Sequence, residues 1–135
     1  MLDITSANEE GRLAWEASYW LRAYISMAQT FSDVKYLDRA VRLIDFLLAN
    51  RDDARHARGE LDLQSEPYYT APLSYLNNRD WAAPGWRHWD SHFKGWRILL
   101  VDEAMITSAI MRFVDLIYAS QDLANYRTKA EHFMK

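Results

Sequence analysis

A helical repeat of apolar residues opens the chain. Ser6-Ala7-Asn8-Glu9 has the spacing of a capping box, in which a serine and a glutamate three residues later satisfy the first N–H groups of a helix. Apolar side chains then recur every three or four residues, as in an α-helix. They occupy one side at Leu13, Ala14, Ala17, Trp20, Leu21, Tyr24, Ile25 and Ala28, and another at Trp15, Tyr19, Ala23 and Met27. We therefore predict a helix over residues 7–30 that is buried on two sides.

Three more segments carry the same period. A break with two candidate N-caps, Ser32 and Asp33, precedes a second amphipathic stretch, which predicts a helix over 34–50. The period returns in the last third of the chain and predicts a helix over 101–119. After the polar break Ser120-Gln121-Asp122 it predicts a fourth helix over 122–134.

Residues 51–100 show no sustained helical period and contain all 3 prolines of the chain. We predict a long loop here, a feature that is often functional in compact domains. The predicted fold is a single all-α domain over residues 1–135, in which four main helices form two antiparallel hairpins joined by this aromatic-rich loop.

The composition limits the classes of protein to which this chain can belong. Hydrophobic residues make up 50% of the chain, but no apolar run approaches the roughly 20 residues that span a bilayer. The first ten residues are acidic and lack the apolar core of a signal peptide. We expect a soluble, cytoplasmic chain or a piece of a larger one, with no membrane partner. The absence of cysteine excludes disulfides and thiolate metal sites.

Charge argues against nucleic acid as a partner. The net charge is −3, and positive and negative residues are mixed along the chain, so no basic stripe is available to neutralise phosphates. The sequence also lacks the glycine-rich phosphate-binding motifs, the paired-histidine zinc motif and the serine elbow of common hydrolases. We expect neither a cofactor nor a metal.

The two predicted hairpins resemble each other, with Asp33 and Asp122 at equivalent turns and Tyr36 and Tyr126 at equivalent helix positions. With the segments 14–21, 35–40 and 102–106, this repeat resembles the six-hairpin (α/α) toroids of carbohydrate-active enzymes, such as unsaturated glucuronyl hydrolases, polysaccharide lyases and glucuronyl epimerases. The resemblance implies a toroid-like arrangement and action on an acidic sugar polymer. A full toroid has about a dozen helices, so it further implies a truncated member, an excised piece, or a small relative that completes its core by oligomerising.

The loop concentrates the candidate chemistry. Four of the 6 tryptophans lie in residues 80–96, together with histidines, aspartates and cations. Trp81, Trp86 and Trp89 offer flat faces that suit the C–H faces of sugars, His88 offers a hydrogen-bonding edge, and Arg87 can hold a uronate carboxylate. The same aromatic residues can instead pin the loop onto the helices.

Three residues are candidates for catalysis. His88, Asp90 and His92 alternate, so they share one face of an extended strand, and Asp90 or His92 is the predicted acid or base. The same triplet could hold a metal, although no other ligand cluster supports that. Glycoside hydrolysis uses paired carboxylates, and the candidate partners for Asp90 are Glu16, Glu66 and Glu103. Glu16 lies among aromatic residues and is the one we select.

We therefore expect a domain that binds or cleaves an acidic sugar polymer by hydrolysis or elimination. The alternative is a non-catalytic helical module that associates with another protein or with a second copy of itself as a homo-oligomer. In that case Trp15 and Tyr19 would lie in the contact.

Overall fold

A computed structural model describes residues 11–68 and 82–134 of the chain. The first element is a π-helical turn, Leu13–Ala17, which continues directly into helix α1. The elements that follow are α1 (Ser18–Phe31), α2 (Lys35–Ala49), α3 (Asp52–Ala57), β1 (Arg87–Asp90), β2 (Gly95–Ile98), α4 (Leu100–Ala119), a 3₁₀-helix (Gln121–Tyr126) and α5 (Arg127–Phe133).

Helices α1 and α4 lie side by side and run in the same direction. Near their beginnings, His88 bonds to Asp102 of α4 and lies against Gly11, just before the π-helical turn. Halfway along, Arg22 of α1 donates to the Ser108 hydroxyl at 2.6 Å. Near their ends, both helices line one cleft of about 310 Å³.

The main core lies between this pair and two outer helices. Helix α2 packs against α1, and α5 packs against α4. Bulky side chains that are almost completely buried fill the interior, among them Leu21, Ile25, Leu37, Ile44, Leu47, Ile106, Phe113 and Ile117.

A smaller core lies in the connection between α2 and α4. Leu61, Leu63 and Ala82 are buried together, with Tyr68 packed against them. Beside this cluster, β1 and β2 form an antiparallel hairpin in which Trp89 lies opposite Trp96. An isolated bridge joins Trp96 to Tyr68, so the hairpin and the smaller core are connected.

The predicted all-α fold of four main helices in two hairpins is wrong. The structure is mostly helical, but the described residues contain five α-helices and a two-stranded antiparallel sheet. Helix α3 and both strands lie in residues 51–100, where we predicted a loop. Six-residue and four-residue elements are too short to show a sustained period. The predicted toroid-like arrangement was based on four helices in two hairpins, so it is wrong as well.

The longer helices follow the apolar period closely. Residues 34–50 and 101–119 were predicted to be helical, and the structure places α2 and α4 there with ends shifted by one residue. The predicted helix over 7–30 divides into the π-helical turn and α1, while residues 7–10 lie outside the described part of the chain. The segment 122–134 divides into the 3₁₀-helix, in which Leu123 has non-helical backbone angles, and α5.

Within residues 11–68 and 82–134, no helix is long and apolar enough to cross a membrane.

Candidate active site

Residues 83–86, in the connection between α2 and α4, lie against the beginning of α4. The carbonyl of Gly85 accepts a hydrogen bond from the Asp52 N–H at 2.8 Å, which ties the connection to the start of α3. The next N–H, that of Trp86, donates to the Glu103 carboxylate of α4 at 2.8 Å. A Cβ atom at position 85 would lie 2.9 Å from Glu103 Oε1, so a larger residue there would displace the Glu103 carboxylate. These contacts fix β1 above the helix.

Arg87, the first residue of β1, is 1% exposed. Its Nε donates to Asp52 Oδ2 at 2.8 Å, and its Nη1 donates to Glu66 at 3.0 Å. The rings of Tyr68 and Trp96 lie 5.2 and 4.9 Å from the guanidinium carbon. Two carboxylates and two aromatic rings therefore enclose this cation, so it anchors the connection and its guanidinium does not face solvent.

Tyr68 completes the same buried network. Its hydroxyl donates to Asp52 Oδ2 at 2.6 Å and accepts the N–H of Ala83 at 3.1 Å. Burial, followed by the hydrogen bond to Asp52, raises the pKa of Tyr68 to about 12. The phenol is therefore a hydrogen-bond donor throughout the neutral pH range.

His88, the next residue of β1, forms a dyad with Asp102 of α4. Its Nδ1 lies 2.9 Å from Asp102 Oδ2, and the Asp102 side chain is 1% exposed while that of His88 is 16% exposed. A buried carboxylate that holds one imidazole nitrogen fixes the ring and directs the other nitrogen outward, as in the histidine–aspartate part of hydrolase triads. In the described part of the chain, the bond to Asp102 is the hydrogen bond that the His88 ring makes.

The imidazole reaches the surface beside the π-helical turn. A Cβ atom on Gly11, which has φ +71°, would lie 2.9 Å from His88 Nδ1 and 3.1 Å from Trp15 Cδ1. His88 and Trp15 are thus neighbours, and only glycine leaves room for both. Trp15 is 45% exposed and Tyr19, four residues later on the same side of the helix, is 59% exposed.

Charged side chains border these two aromatic residues. Arg12 Nε lies 3.8 Å from Glu16 Oε1, and both side chains are exposed. We call Arg12, Trp15, Glu16 and Tyr19, together with His88, the aromatic face. The predicted catalytic Glu16 thus lies on this face, in solvent and beside a cation.

Glu103 is a carboxyl group whose pKa is raised above its ordinary value. Burial raises its pKa, the N–H of Trp86 opposes that shift, and repulsion from Asp102 and Asp52 adds to it. Glu103 is partly exposed at the same end of α4 as the dyad. A carboxylic acid with a raised pKa is suited to general acid catalysis.

Two of the predicted catalytic residues lie away from the dyad, in the hairpin turn. Asp90 accepts the N–H groups of His92 and Phe93 at 3.0 and 3.1 Å and pairs with Arg97. The backbone bond from Phe93 is the largest of the causes that lower the pKa of Asp90. Asp90 is therefore held as a carboxylate that organises the turn. His92 is exposed at the tip, where its ring lies edge-on to Phe93 at 4.7 Å.

The predicted sugar-binding tryptophans lie at different depths. Trp86 is 4% exposed and donates its indole N–H to the Leu47 carbonyl at 2.6 Å, so it pins the connection to α2. Trp89 is partly buried and packs edge-on against Trp96 at 5.2 Å. Trp81 lies outside the described residues. Among the predicted substrate-binding residues that are described, His88 is the one that belongs to the aromatic face.

Asp102 and Trp15 were not among the predicted site residues. The sequence does contain a signal for Asp102, because it lies four residues before Ile106 on the apolar stripe of α4. An acid on a buried stripe requires a partner. The partner is His88, which a spacing rule could not supply because it belongs to another element. No metal-ligand cluster occurs among the described residues, and the H-x-D-x-H triplet is divided between a strand and a turn.

Comparison with models of protein families, with curated proteins and with solved structures finds no match for this chain.

Proposed function

We propose that the chain binds an acidic saccharide on the aromatic face and removes a proton from it with His88. The observation that carries this proposal is the position of the His88 imidazole, which is held by buried Asp102 and lies on the other side of Gly11 from half-exposed Trp15. A base held in place near a solvent-exposed indole is better suited to acting on a bound ligand than to stabilising the fold.

The aromatic face suits a sugar ring in shape and chemistry. The indole of Trp15 and the phenol of Tyr19 provide apolar area for the C–H side of a pyranose, and a Tyr hydroxyl can bond its edge. Arg12 supplies a guanidinium for a uronate carboxylate, which such a group can grip in bidentate fashion. Glu16, 3.8 Å from Arg12, can accept hydrogen bonds from sugar hydroxyls.

Elimination fits the dyad better than hydrolysis does. Hydrolysis uses two carboxyl groups on either side of the glycosidic bond, whereas the buried Asp102 carboxylate is committed to His88. In elimination, Nε2 of His88 takes the proton from the carbon next to the uronate carboxylate. The electron pair forms a C=C bond, the neighbouring C–O bond breaks, and the leaving oxygen takes a proton, for which Glu103 is the candidate donor.

Calorimetric titration with uronic acid oligomers tests binding. We expect Trp15→Ala to weaken binding by about tenfold, the equivalent of roughly 1.4 kcal/mol. Tyr118→Ala removes an aromatic side chain of similar exposure from α4 and should bind like the wild type. Absence of binding by the wild type, or equal binding by a folded Trp15→Ala variant, would refute the proposal.

The chemical step has its own measurement. Elimination creates an unsaturated uronate, which absorbs ultraviolet light, and reversible proton removal in D₂O exchanges the carbon-bound hydrogen. We expect His88→Gln to bind the oligomer but to lose both signals. Binding without either signal in the wild type would reduce the proposal to a saccharide-binding face.

A further inference from the structure

The cleft at the far end of the parallel helices α1 and α4 has no role in the saccharide proposal. Its volume is about 310 Å³, at the lower limit of the roughly 300–1,000 Å³ that small-molecule sites have. Ser32, which ends α1, and Ser120, which ends α4, both line it. His88 lies near the beginnings of the same helices, so the cleft and the candidate active site are at opposite ends of the pair.

Much of the lining of the cleft is aliphatic. Ala28 and Leu37 are buried, Leu116 and Leu123 are partly buried, and Val34 is 52% exposed. Water against such side chains finds few hydrogen-bond partners, so its replacement by an apolar group is favourable. The lining therefore suits a ligand with an apolar body.

The charged groups that line the cleft are negative. Asp33 and Asp122, the aspartates at equivalent turns of the internal repeat, are both lining residues, and the described residues around the cleft include no cation. Asp33 already pairs with Lys35, which lies just outside the lining, with 2.5 Å between Nζ and Oδ2. Asp122 has no ion pair or side-chain hydrogen bond within the described part of the chain. Asp122 therefore offers a carboxylate whose charge is not shared.

The ends of the two helices add to this negative potential. The last carbonyl groups of a helix lack partners inside it, and together with the aligned peptide dipoles they give its C-terminus roughly half a negative charge. Neither α1 nor α4 has a basic residue in its last turn. Because the two helices are parallel, their negative ends lie at the same cleft and do not cancel each other.

We infer that this cleft binds a small organic cation, a primary amine on an apolar body. The apolar body lies against the aliphatic lining, and the ammonium group donates to Asp122 and to the carbonyl groups at the helix ends. A carboxylate ligand of the same shape would be repelled by the aspartates and by both helix ends. This inference is independent of the saccharide proposal, because none of the residues of the aromatic face lines the cleft.

NMR titration of the ¹⁵N-labelled chain with 2-phenylethylamine, which is protonated at neutral pH, tests this inference. The matched probes are 2-phenylethanol, which is neutral, and 3-phenylpropionate, which is negative. We expect the amine to shift the backbone signals of residues 28–37 and 116–123 with a dissociation constant in the millimolar range. It should bind about fivefold more tightly than the alcohol, because charge-assisted hydrogen bonds are stronger than neutral ones. The carboxylate should give no saturable shift.

Three variants separate the charge from the cavity. Asp122→Asn should weaken binding of the amine about fivefold and leave binding of the alcohol unchanged. Asp115→Asn, which removes an exposed carboxylate of α4 outside the cleft, is the matched control and should bind like the wild type. Ser120→Phe adds a ring to the lining at a residue whose extended backbone, φ −120°, suits an aromatic side chain. It should abolish binding of both probes.

Several results would overturn the inference. The amine and the alcohol could bind equally, the carboxylate could bind as tightly as the amine, or the wild type could show no saturable shift with millimolar amine. Shifts that spread over exposed carboxylates outside the cleft would also overturn it, because they would indicate non-specific attraction. So would unchanged binding of the amine by a folded Asp122→Asn or Ser120→Phe variant.

Discussion

Arg87 shows how this chain buries a full positive charge. The guanidinium is surrounded by Asp52, Glu66 and the rings of Tyr68 and Trp96. Burial of a charge is costly, and geometry and hydrogen bonds must compensate for it. Because Asp52 and Arg87 belong to α3 and β1, their bond joins the two ends of the connection. Loss of Asp52 leaves Arg87 with the half-exposed Glu66 as its remaining carboxylate, and loss of Arg87 leaves Asp52 buried without a cation.

The first prediction concerns this pair. Asp52→Ala should lower the free energy of unfolding by about 3 kcal/mol, because Arg87 would stay buried without its buried partner and would keep only the half-exposed Glu66. The control is Asp45→Ala, which breaks an exposed pair with Lys129 at 2.8 Å and should cost less than about 1 kcal/mol. Urea denaturation of both variants measures the difference. Equal losses would contradict the role given to burial.

The second prediction concerns Tyr126 in alkaline solution. Burial and the 2.6 Å hydrogen bond to Asp38 raise the pKa of this phenol from its ordinary 10.0 to about 12. A raised folded-state pKa contributes stability that is complete below pH 10 and is lost as pH rises toward 12. Stability should therefore fall across that window.

Tyr126→Phe should reduce the slope of stability with pH between 10 and 12. The slope that remains belongs in part to Tyr68, whose pKa is also about 12. Thermal unfolding at several pH values measures both slopes. If the Tyr126→Phe variant keeps the full wild-type slope, the pKa shift of Tyr126 is not coupled to folding.

Residue identity alone predicted only part of the candidate site. His88, Glu16 and the concentration of tryptophans are visible in the printed sequence, and the sugar-type chemistry was inferred from them. The partners were not predictable, because Asp102 and Trp15 meet His88 only after α1, α4 and β1 pack together. Burial of Trp86 was equally unpredictable, because an indole can either contact a ligand or pack in a core.

At the scale of elements, the turn between α1 and α2 depends on a left-handed residue. Ser32 ends α1 with φ 50°, and the Asp33 side chain then accepts the N–H of Lys35 as α2 begins. Left-handed backbone is unfavourable for residues with a side chain, and glycine is the usual choice at a helix end of this kind.

The third prediction follows from that conformation. Ser32→Gly should stabilise the protein by about 0.5–1 kcal/mol, because the strain at φ 50° disappears. Ser26→Gly, within α1 and also exposed, should instead destabilise it by about 1 kcal/mol. Opposite signs in chemical denaturation are expected. A loss of stability in both variants would show that Ser32 makes a contribution beyond its backbone angle.

The fourth prediction concerns the hairpin in acid. Asp90 bonds to the backbone of the turn and to Arg97, and its pKa is lowered, chiefly by the N–H of Phe93. A lowered folded-state pKa gives stability that is present above about pH 4 and is lost as pH falls. The hairpin should therefore loosen at acid pH.

The edge-on pair of Trp89 and Trp96, with ring centres 5.2 Å apart, provides the signal for this change in near-ultraviolet circular dichroism. We expect the signal to decline as pH falls below about 4. Asp90→Asn should weaken it at neutral pH. A wild-type signal that does not change in acid would show that the Asp90 carboxylate does not order the hairpin.

Prediction of the elements succeeded where the period was long. α2 and α4 extend over four or more turns, so their apolar faces repeat enough to fix both ends within a residue. The hairpin was not predicted, because its aromatic and charged residues are partly buried on both faces and show no apolar–polar alternation. Its register depends on pairing with the rest of the connection.

At the scale of the molecule, two cores of unequal size support the fold. The main core joins α1, α2, α4 and α5, whereas Leu61, Leu63 and Ala82 form a separate cluster in the connection. Because the clusters share few buried apolar residues, the connection can open while the helices stay packed. The parallel pairing of α1 and α4 was not predictable from the internal repeat alone.

The fifth prediction separates the two cores. Ile44→Ala, in the main core, should lower the free energy of global unfolding by about 2–5 kcal/mol. Leu63→Ala removes a similar buried volume from the smaller core but should mainly speed local opening. Amide hydrogen exchange should increase across residues 52–68 and 82–98 in Leu63→Ala and everywhere in Ile44→Ala. A uniform increase in Leu63→Ala would mean that the cores unfold together.

The indole of Trp86 gives the molecule a built-in optical reporter. It is shielded from water and bonded to α2, while Trp15 and Trp20 are open to solvent. A collisional quencher such as iodide should therefore quench the solvent-facing indoles first and leave a blue-shifted emission, to which Trp86 contributes as the most deeply buried of the described indoles. The time at which iodide begins to quench this buried emission would measure when the connection between α2 and α4 separates from α2. The measurement needs no added dye.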